Sequence, residues 1–359
     1  MARAACALLS MHHLIHNVSV LKNHASRAQC MAMVKANAYG HGLRSVALRL
    51  EPYVDSFGVA SIDEALALRR VGIKLPITLM EGVFEPSELI IAAQENFHVV
   101  FHHECQISWL DQGGIQEPIT AWLKIDTGLG RLGFTERESW VSYERLSQHK
   151  NIRQHCGIMS HLACADQPDH PLNNLQMKRF EHFIQELPGP KSLCNSAGLF
   201  LFPEAHYDIV RPGIALYGVS PFRDRTAAEL GLKSVMSIHT QLISVKQVPQ
   251  GTSIGYGAHY ICSEDMPVGV VALGYGDVLL RTAREGMPVL INGVRCHVIG
   301  RVSMDMMTVD LRACPYARVG DPVTLWGEGL SLEEVTASTS HSVYDMLTGV
   351  QPRVKFHWQ

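Results

Sequence analysis

The residue with the clearest chemical potential in the first part of the chain is Lys35, in the segment VKANAYGHG at 34–42. Lys35 follows an apolar run that predicts a β-strand, and a turn of small residues and glycine comes directly after it. A lysine at the carboxyl end of a barrel strand lies on the active face, where an aldehyde cofactor could form a Schiff base with its amine. The same lysine could instead be a solvated side chain that ends a strand, so residues elsewhere must decide.

Two further polar turns follow predicted strands in the middle of the chain. The segment KIDTGLGRLG at 124–133 contains the spacing GxGxxG of dinucleotide-binding loops. We reject that interpretation because the strand is about the fifth in the chain, and no acidic residue follows about 20 positions later to bind a ribose. A tight turn that presents Arg131 fits better. In SHLACAD at 160–166, His161 closes the sixth predicted strand, as either a structural hydrogen-bonding group or a catalytic one.

The turns after the seventh and eighth predicted strands favour phosphate binding. In CNSAG at 194–198, Ser196 and the free backbone N–H groups at a helix start form a site suited to an anion. The segment VRPGIALYG at 210–218 follows the eighth strand, and barrels commonly bind phosphate in these two loops. Together with a lysine after the first strand, this arrangement fits pyridoxal phosphate better than a nicotinamide or a flavin.

Three glycine-bearing turns in the last third of the chain also carry polar side chains. Tyr256 lies in IGYGAHY at 254–260, Tyr275 in GYGD at 274–277, and Arg301 with Met304 in GRVSMD at 300–305. Each turn by itself is typical of a β-turn with an exposed side chain. The histidine pairs at 12–13 and 102–103 lack the spacing of metal ligands, so we expect no metal site.

Alternating strands and helices must position these turns between residue 30 and about residue 215. Eight apolar runs predict strands at Met31–Lys35, Ser56–Ala60, Ile77–Met80, Phe97–Phe101, Ile119–Ile125, His155–Ser160, Lys191–Asn195 and Asp208–Arg211. Amphipathic stretches predict helices at Ser61–Val71, Glu85–Glu95, Thr135–Gln148 and Leu172–Leu187. This alternation predicts a TIM-like (β/α)8 barrel, and an open doubly wound sheet is the alternative that periodicity does not exclude.

The pattern changes after about residue 230, where short strand-like runs separated by Gly and Pro turns replace the helices. Runs at Val235–Val248, Val268–Leu273, Val289–Asn292, Val294–Ile299, Met306–Asp310 and Pro322–Trp326 predict strands. Little of this segment predicts a helix before Leu332–Thr339. We therefore expect an α/β protein with an N-terminal barrel at 1–232 and a mainly β C-terminal domain at 233–359.

The composition limits the class of protein. With 359 residues, 47% of them hydrophobic and 18% charged, the chain is long enough for two domains and too apolar for disorder. A formal net charge of −3 gives no basis for nucleic-acid binding, and no apolar run reaches the roughly 18 residues of a membrane span. Nine scattered cysteines without a CxxC pair indicate reduced thiols in a soluble, cytoplasmic protein. Ala4–Leu9 only faintly resembles a secretory signal, and Met11–Leu21 predicts a helix with Ser10 as its N-cap.

Taken together, the motifs closely resemble those of the bacterial alanine racemase family over essentially the whole chain. In the family's order they are VKANAYGHG, KIDTGLGRLG, SHLACAD, CNSAG, VRPGIALYG, IGYGAHY, LGYGD and GRVSMD. The resemblance implies a homodimeric isomerase with an N-terminal barrel, a C-terminal β domain, and pyridoxal 5'-phosphate as cofactor. Such an enzyme interconverts L-alanine and D-alanine through an external aldimine, and it supplies D-alanine for peptidoglycan or breaks it down. The first strand is then expected to pack with the β domain.

The resemblance also implies roles for individual residues. Lys35 and Tyr256 match the two catalytic bases, with Tyr256 delivered by the partner subunit. The matched cofactor-binding positions are Lys35, Tyr39, His161, Asn195, Ser196, Arg211, Gly213 and Ile214. Arg131 and, from the partner, Met304 match residues near the substrate carboxylate, and Lys124 matches a lysine that many members carry in carbamylated form. The positions along the substrate entrance are Asp166, Tyr275, Arg281 and Arg301.

One position departs from the family pattern. Pro352 stands before Arg353-Val354, where several members have a tyrosine that contacts the phosphate and narrows the entrance. Two other kinds of protein resemble this architecture. A decarboxylase places an acidic residue at the pyridine nitrogen where this chain has Arg211, and a non-catalytic pyridoxal phosphate carrier consists of a barrel alone. An amino-acid racemase of broader specificity stays open as a third alternative.

Overall fold

The computed structural model describes residues 3–185 and 187–359. The chain divides into two compact units, one of which comprises Ile15–Leu216 with Ser220–Arg225. The other comprises the chain up to Leu14, Tyr217–Val219 and Thr226–Gln359. The chain enters the second of these units for the last time at Thr226, a few residues before the boundary expected after residue 232.

The chain begins with strand β1 (Cys6–Leu9) and helix α1 (Met11–His24). Ser10 caps the helix as the sequence predicts, because its Oγ accepts a hydrogen bond from the N–H of His13 at 3.2 Å. Leu14, Val18 and Leu21 are buried at helical spacing, so the helix packs through one apolar face.

Eight parallel strands and the helices between them form the first unit. In chain order these are β2 (Gln29–Met33), α2 (Lys35–Tyr39), α3 (Leu43–Leu50), β3 (Ser56–Val59), α4 (Ile62–Arg70), β4 (Ile77–Leu79), α5 (Pro86–Gln94), β5 (Phe97–Phe101), α6 (Glu104–Trp109), β6 (Thr120–Lys124), α7 (Glu136–Gln148), β7 (Gly157–Met159), α8 (Pro171–Ile184), β8 (Lys191–Ser192), α9 (Ser196–Leu201) and β9 (Ile209–Val210). Each strand from β2 to β7 pairs with the one that follows it in the chain, and β2 also pairs with β9.

The ring closes between β8 and β9 through two backbone hydrogen bonds. The N–H of Asp208 donates to the carbonyl of Lys191 at 3.1 Å, and the N–H of Arg211 donates to the carbonyl of Cys194 at 2.9 Å. The unit is therefore the predicted barrel, and the alternative of an open doubly wound sheet is wrong. Its strands are buried on both faces, which explains why the sequence shows continuous apolar runs there instead of alternation.

The observed strands lie within the predicted runs or differ from them by a few residues, and one difference bears on the site. Strand β2 ends at Met33, so Lys35 does not end the strand as predicted but begins the next element, α2. The α2 backbone is left-handed at every residue from 36 to 39, a conformation that no propensity argument anticipates. Helices α3 and α6 were also not predicted; they span only eight and six residues.

The second unit is built from antiparallel strands. In chain order its elements are β10 (Met236–Val248), β11 (Ser253–Ile254), β12 (Tyr260–Ile261), β13 (Met266–Val271), β14 (Pro288–Ile291), β15 (Val294–Ile299), β16 (Met307–Asp310), β17 (Pro322–Trp326), α10 (Leu332–Ala337), α11 (Val343–Thr348) and β18 (Lys355–Trp358). Strands β13, β16, β15, β14, β17 and β10 pair in that order, and β10 pairs again with β13, which closes a second ring.

Strand β10 organises this unit because its 13 residues are long enough to pair with three strands. Its register shifts at two irregular points, between Ile238 and His239 and between Leu242 and Ser244, which lets it turn from one neighbour to the next. Strand β1 adds to it in antiparallel fashion, with Cys6 opposite His239, and β18 pairs in parallel with β1. The two ends of the chain thus lie in the same sheet as β10.

Candidate active site

The loop after β2 holds Lys35 at the start of a strained turn. The φ angles of Ala36, Asn37, Ala38 and Tyr39 lie between 52° and 55°, which costs an L-residue on the order of 1 kcal/mol each. Hydrogen bonds from outside the turn hold it: Glu64 Oε1 accepts from the N–H of Ala36 at 2.8 Å, and Asn37 Oδ1 accepts from the N–H of Leu43 at 2.9 Å. Backbone strain kept in this way is a common mark of a functional site.

The loops after β8 and β9 meet at Ser196, as the phosphate-site prediction requires. Ser196 Oγ accepts a hydrogen bond from the N–H of Gly213 at 2.8 Å, which joins the start of α9 to the segment after β9. Asn195 caps α9, because its Oδ1 accepts from the N–H of Gly198 at 3.0 Å. Ile214 is buried and begins the short 3-10 turn Ile214–Tyr217.

Gly213 allows Tyr39 to reach this meeting point. A β-carbon on Gly213 would lie 2.3 Å from the Tyr39 hydroxyl oxygen and 2.9 Å from its Cζ, so a larger residue there would force Tyr39 to move. The Tyr39 hydroxyl, the Ser196 hydroxyl and the backbone amides of the 213–214 segment therefore lie together. Hydroxyl and amide donors of this kind suit the oxygens of a phosphate group.

Arg211 is buried beside His161, and no carboxylate within residues 3–185 and 187–359 pairs with it. Its Nη2 donates to the carbonyls of Ser160 at 2.5 Å and Leu193 at 3.1 Å, and lies 3.4 Å from Nδ1 of His161. Burial lowers the pKa of Arg211 to about 10, which still leaves it charged at neutral pH. Because a guanidinium only donates, Nδ1 of His161 must be the acceptor, and the proton of the neutral imidazole is on Nε2.

The other cations at this end of the barrel keep His161 neutral. Desolvation, followed by the charges of Arg211, Lys124, Arg131 and Lys35, lowers the pKa of His161 well below its ordinary value. Desolvation and the charges of Arg211, Arg131 and Lys35 likewise lower the pKa of Lys124 to about 8. Glu81 is the one carboxylate among the groups that shift Lys124. So many cations held together favour the binding of an anionic ligand.

Arg131 lies in the loop after β6, which Asp126 holds in shape. One oxygen of the Asp126 carboxylate accepts from the N–H groups of Gly128 at 2.9 Å and Leu129 at 2.8 Å, and the other accepts from Gly130 at 2.9 Å. The predicted tight turn that presents Arg131 is therefore present, with Arg131 itself exposed. Sequence reasoning did not single out Asp126, although an aspartate before TG is a common turn-forming signal.

The predicted residues of the second unit lie on three neighbouring turns. Tyr256 is 71% exposed between Gly255 and Gly257. A β-carbon on Gly255 would lie 3.2 Å from the backbone nitrogen of Arg301, so the turns of Tyr256 and Arg301 are in contact. The N–H of Tyr275 donates to the Ser303 carbonyl at 3.1 Å, which joins its turn to the one that carries Met304.

Two of the remaining entrance candidates lie in the β unit and one in the barrel unit. The guanidinium carbon of Arg281 is 5.8 Å from the centre of the Tyr275 ring, so these two side chains form a local pair. Asp166 is half-buried after β7 in the barrel unit.

A buried carboxylate supports the turns of Tyr275 and Met304, and sequence reasoning assigned it no role. Asp277 is fully buried and accepts hydrogen bonds from Arg3 at 2.8 and 2.6 Å and from Arg353 at 2.8 Å. Arg353 also donates to Asp305 Oδ1 at 2.8 Å. Burial by itself raises the pKa of Asp277, but hydrogen bonds from Arg3, Gly274 and Arg353 outweigh this effect and hold the pKa below its ordinary value.

Comparison with known protein families accounts for both units. The family model described as alanine racemase, N-terminal domain, matches residues 9–221, and the model for the C-terminal domain matches residues 235–358. The chain belongs to the alanine racemase family. This membership confirms the resemblance, identifies the chain as an isomerase of the pyridoxal phosphate-dependent kind, and excludes the decarboxylase and the single-barrel carrier.

Individual alanine racemases are similar to the chain over nearly their whole length. The biosynthetic alanine racemase of Escherichia coli strain K12 is 43% identical over 353 residues, which cover 98% of each chain. The structure of the biosynthetic alanine racemase of Pseudomonas aeruginosa superposes with a TM-score of 0.96 at 42% identity and covers 100% of both chains. That of Acinetobacter baumannii gives a TM-score of 0.94 at 35% identity, covering 99% of this chain and 100% of the other. Within residues 3–185 and 187–359, none of the helices has both the length and the apolar character needed to cross a membrane.

Proposed function

We propose that the protein interconverts L-alanine and D-alanine with pyridoxal 5'-phosphate bound at the carboxyl ends of the barrel strands. The observation that carries this proposal is the group formed by Lys35, Lys124, Arg131 and Arg211 around a neutral His161. These cations suit the two anions that the reaction brings together, the cofactor phosphate and the substrate carboxylate. When bound, the cofactor serves as an electron sink for the carbanion formed at the substrate Cα.

The residues around Ser196 fit the phosphate group of this cofactor. The Tyr39 and Ser196 hydroxyls and the Ile214 amide are the donors in our proposal, and the Gly213 amide joins them by exchanging its bond to Ser196 Oγ for one to the phosphate. Asn195 fixes the start of α9 beside them. The closeness of Tyr39 to Gly213 supports this assignment, because it brings the loop after β2 and the loop after β9 together at the proposed phosphate site. Lys35 is the residue that binds the cofactor aldehyde.

Arg211 determines the protonation of any nitrogen that faces it. Because Arg211 remains charged and only donates, a pyridine nitrogen bound opposite it would accept a hydrogen bond and stay unprotonated. His161 supports Arg211 from the side through its unprotonated Nδ1. An unprotonated ring is a weaker electron sink, which we expect to suppress decarboxylation and transamination as side reactions.

Racemisation requires one acid–base group on each face of a planar intermediate, and we assign these to Lys35 and Tyr256. Tyr256 comes from the partner subunit of a homodimer in this proposal, and Met304 of the partner joins Arg131 at the substrate carboxylate. The exposure of Tyr256 (71%) and Met304 (53%) supports a role in contacts with another subunit. Tyr275, Arg281, Arg301 and Asp166 are then the candidates for the substrate entrance, with Pro352 where a gate tyrosine stands in several relatives.

Lys124 is suited to carbamylation. Its pKa of about 8 provides a larger fraction of free amine at neutral pH than an ordinary lysine has, and the free amine adds to carbon dioxide with release of one proton. The carbamate anion would then orient the Arg131 guanidinium. The biosynthetic names of the relatives in E. coli and P. aeruginosa support a role in supplying D-alanine for peptidoglycan in the cytoplasm.

Circular dichroism of alanine tests the proposal directly. Incubation of L-alanine and of D-alanine with the protein and pyridoxal phosphate in D₂O should abolish the signal of both enantiomers. Lys35→Ala should abolish the decay, and Tyr256→Phe should exchange deuterium into the two enantiomers at unequal rates. If the wild type leaves both signals unchanged, the proposed function is wrong, and equal exchange in Tyr256→Phe would refute the two-base assignment.

A further inference from the structure

Two loops that carry predicted site residues are joined by one buried side chain on helix α8. Gln176 is fully buried, and its Nε2 donates to Thr127 Oγ1 at 3.2 Å and to the carbonyl of His161 at 3.0 Å. Its Oε1 accepts from the N–H of Ala163 at 2.8 Å. Gln176 therefore bonds both the loop after β6, which carries Arg131, and the turn after β7, which carries His161.

These hydrogen bonds continue in one direction toward the barrel. Ser160 Oγ donates to the carbonyl of Ile125 at 2.9 Å and lies 2.8 Å from Thr127 Oγ1. The Ser160 hydroxyl has one proton, which it donates to Ile125, so the contact with Thr127 must use the Thr127 proton. Thr127 Oγ1 in turn accepts from Gln176. The result is a chain from Gln176 through Thr127 and Ser160 to the backbone carbonyl of Ile125, the residue after β6, in which each bond polarises the next.

The same chain meets Arg211 at the Ser160 peptide. Arg211 Nη2 donates to the Ser160 carbonyl, while Gln176 donates to the carbonyl of His161, the next residue. His161 is thus held by its backbone on one side and by Arg211 at its ring on the other. Helix α8 also holds the Arg131 loop a second time, through Arg179 Nη1, which donates to the Thr127 carbonyl at 3.1 Å.

We propose that Gln176 is a positioning residue that holds His161 and the Arg131 loop in a fixed relation. This inference rests on the proposed function, in which His161 supports the cofactor side of the site and Arg131 binds the substrate carboxylate. Loss of Gln176 should loosen both groups together and so change kcat and KM together, because small misplacements of reacting groups are costly.

The chain contains a matched control in Gln106 on α6. Gln106 is also buried, its Oε1 accepts from the N–H of His102 at 2.9 Å, and its Nε2 donates to the carbonyl of Val83 at 3.0 Å. It joins the loops after β4 and β5 as Gln176 joins those after β6 and β7. No residue of those two loops is assigned to catalysis or binding, although Glu81 in the loop after β4 acts on the charge of Lys124. Gln106→Met should therefore cost stability and change the kinetics far less than Gln176→Met.

The experiment compares Gln176→Met with Gln106→Met in steady-state racemisation and in hydrogen exchange of the cofactor-free protein. We expect Gln176→Met to lower kcat/KM about tenfold or more, with both parameters changed, and Gln106→Met to stay near the wild type. Amide hydrogen exchange should become faster at Ala163 in Gln176→Met and at His102 in Gln106→Met. In each variant the backbone N–H loses the glutamine oxygen that accepts its hydrogen bond. If Gln176→Met does not fold, Thr127→Val breaks the same chain and should raise KM.

The outcomes separate this inference from the proposed function. A wild type without racemisation would overturn the proposed function, while the exchange data would still show whether Gln176 holds the two loops. An active wild type with equal kinetics in the two glutamine variants would overturn the role of Gln176 alone. Unchanged exchange at Ala163 in Gln176→Met would overturn it as well.

Discussion

A β-carbon on Gly213 would lie 2.3 Å from the hydroxyl oxygen of Tyr39, so these two residues are compatible only because position 213 lacks a side chain. The contact connects the loop after the first barrel strand with the loop after the last. It places the turn that begins at Lys35 against the amides that we assign to the phosphate.

Gly213→Ala should lower the free energy of unfolding of the cofactor-free protein by about 1–3 kcal/mol, because Tyr39 must move. The same substitution should cost less in a Tyr39→Phe background, since the nearest atom is the hydroxyl oxygen. Urea unfolding of the four proteins of this double-mutant cycle measures the coupling. Equal costs in the two backgrounds would show that Tyr39 does not occupy this position.

Lys124→Met should change how stability depends on pH. The folded-state pKa of about 8 lies below the ordinary 10.5, so the charged lysine destabilises the fold below pH 8, and this penalty is relieved as pH rises to 10.5. The unfolding free energy of the wild type should therefore rise over that window relative to Lys124→Met, by up to about 3 kcal/mol. Denaturation of the cofactor-free proteins in buffer without carbon dioxide makes the comparison, and parallel curves would contradict it.

Asp277→Asn should lower the unfolding free energy by about 2 kcal/mol or more at pH 7, because Arg3 and Arg353 lose a buried charged acceptor. Asp305→Asn is the control, since Asp305 also bonds Arg353 but is nearly half exposed, and it should cost less than about 1 kcal/mol.

The effect of Asp277 also has a pH signature. Its folded-state pKa is held below 3.8, so its stabilising contribution is complete above 3.8 and is lost as pH falls through the lowered value. The difference in stability between the wild type and Asp277→Asn should shrink in that acidic range. A difference that stays constant down to the lowest pH at which the protein folds would count against the charged network.

Asp126→Ala should weaken the binding of alanine, because three backbone amides of the Arg131 loop lose their acceptor. We expect KM to rise about tenfold, with kcat less affected. Asp126→Asn keeps the oxygen that serves Gly128 and Leu129 and should lie between the wild type and Asp126→Ala. Initial rates at varied alanine concentration give both constants, and equal KM values in all three proteins would exclude this role.

Prediction from sequence succeeded best for the strands of the barrel. Runs such as 97–101 and 120–124 are apolar at most positions, because parallel strands under helices are buried on both faces. It failed at Lys35, which was placed at the end of a strand, because the left-handed backbone of 36–39 depends on hydrogen bonds from distant residues such as Glu64. It also missed Gln176, since a polar residue within an amphipathic helix looks the same whether it faces solvent or bonds two loops.

The sequence by itself determined the type of fold, the family, and the identity of the residues that could do the chemistry. Those properties follow from local patterns: buried apolar runs, glycine-bearing turns, and motifs in a fixed order. Only the tertiary structure decided which strands β1 pairs with, and that Arg211 is buried against the Ser160 carbonyl and the His161 ring. It also decided that Nδ1 of His161 is an acceptor. The reason is physical, because burial, charge and hydrogen-bond direction depend on which distant residues meet.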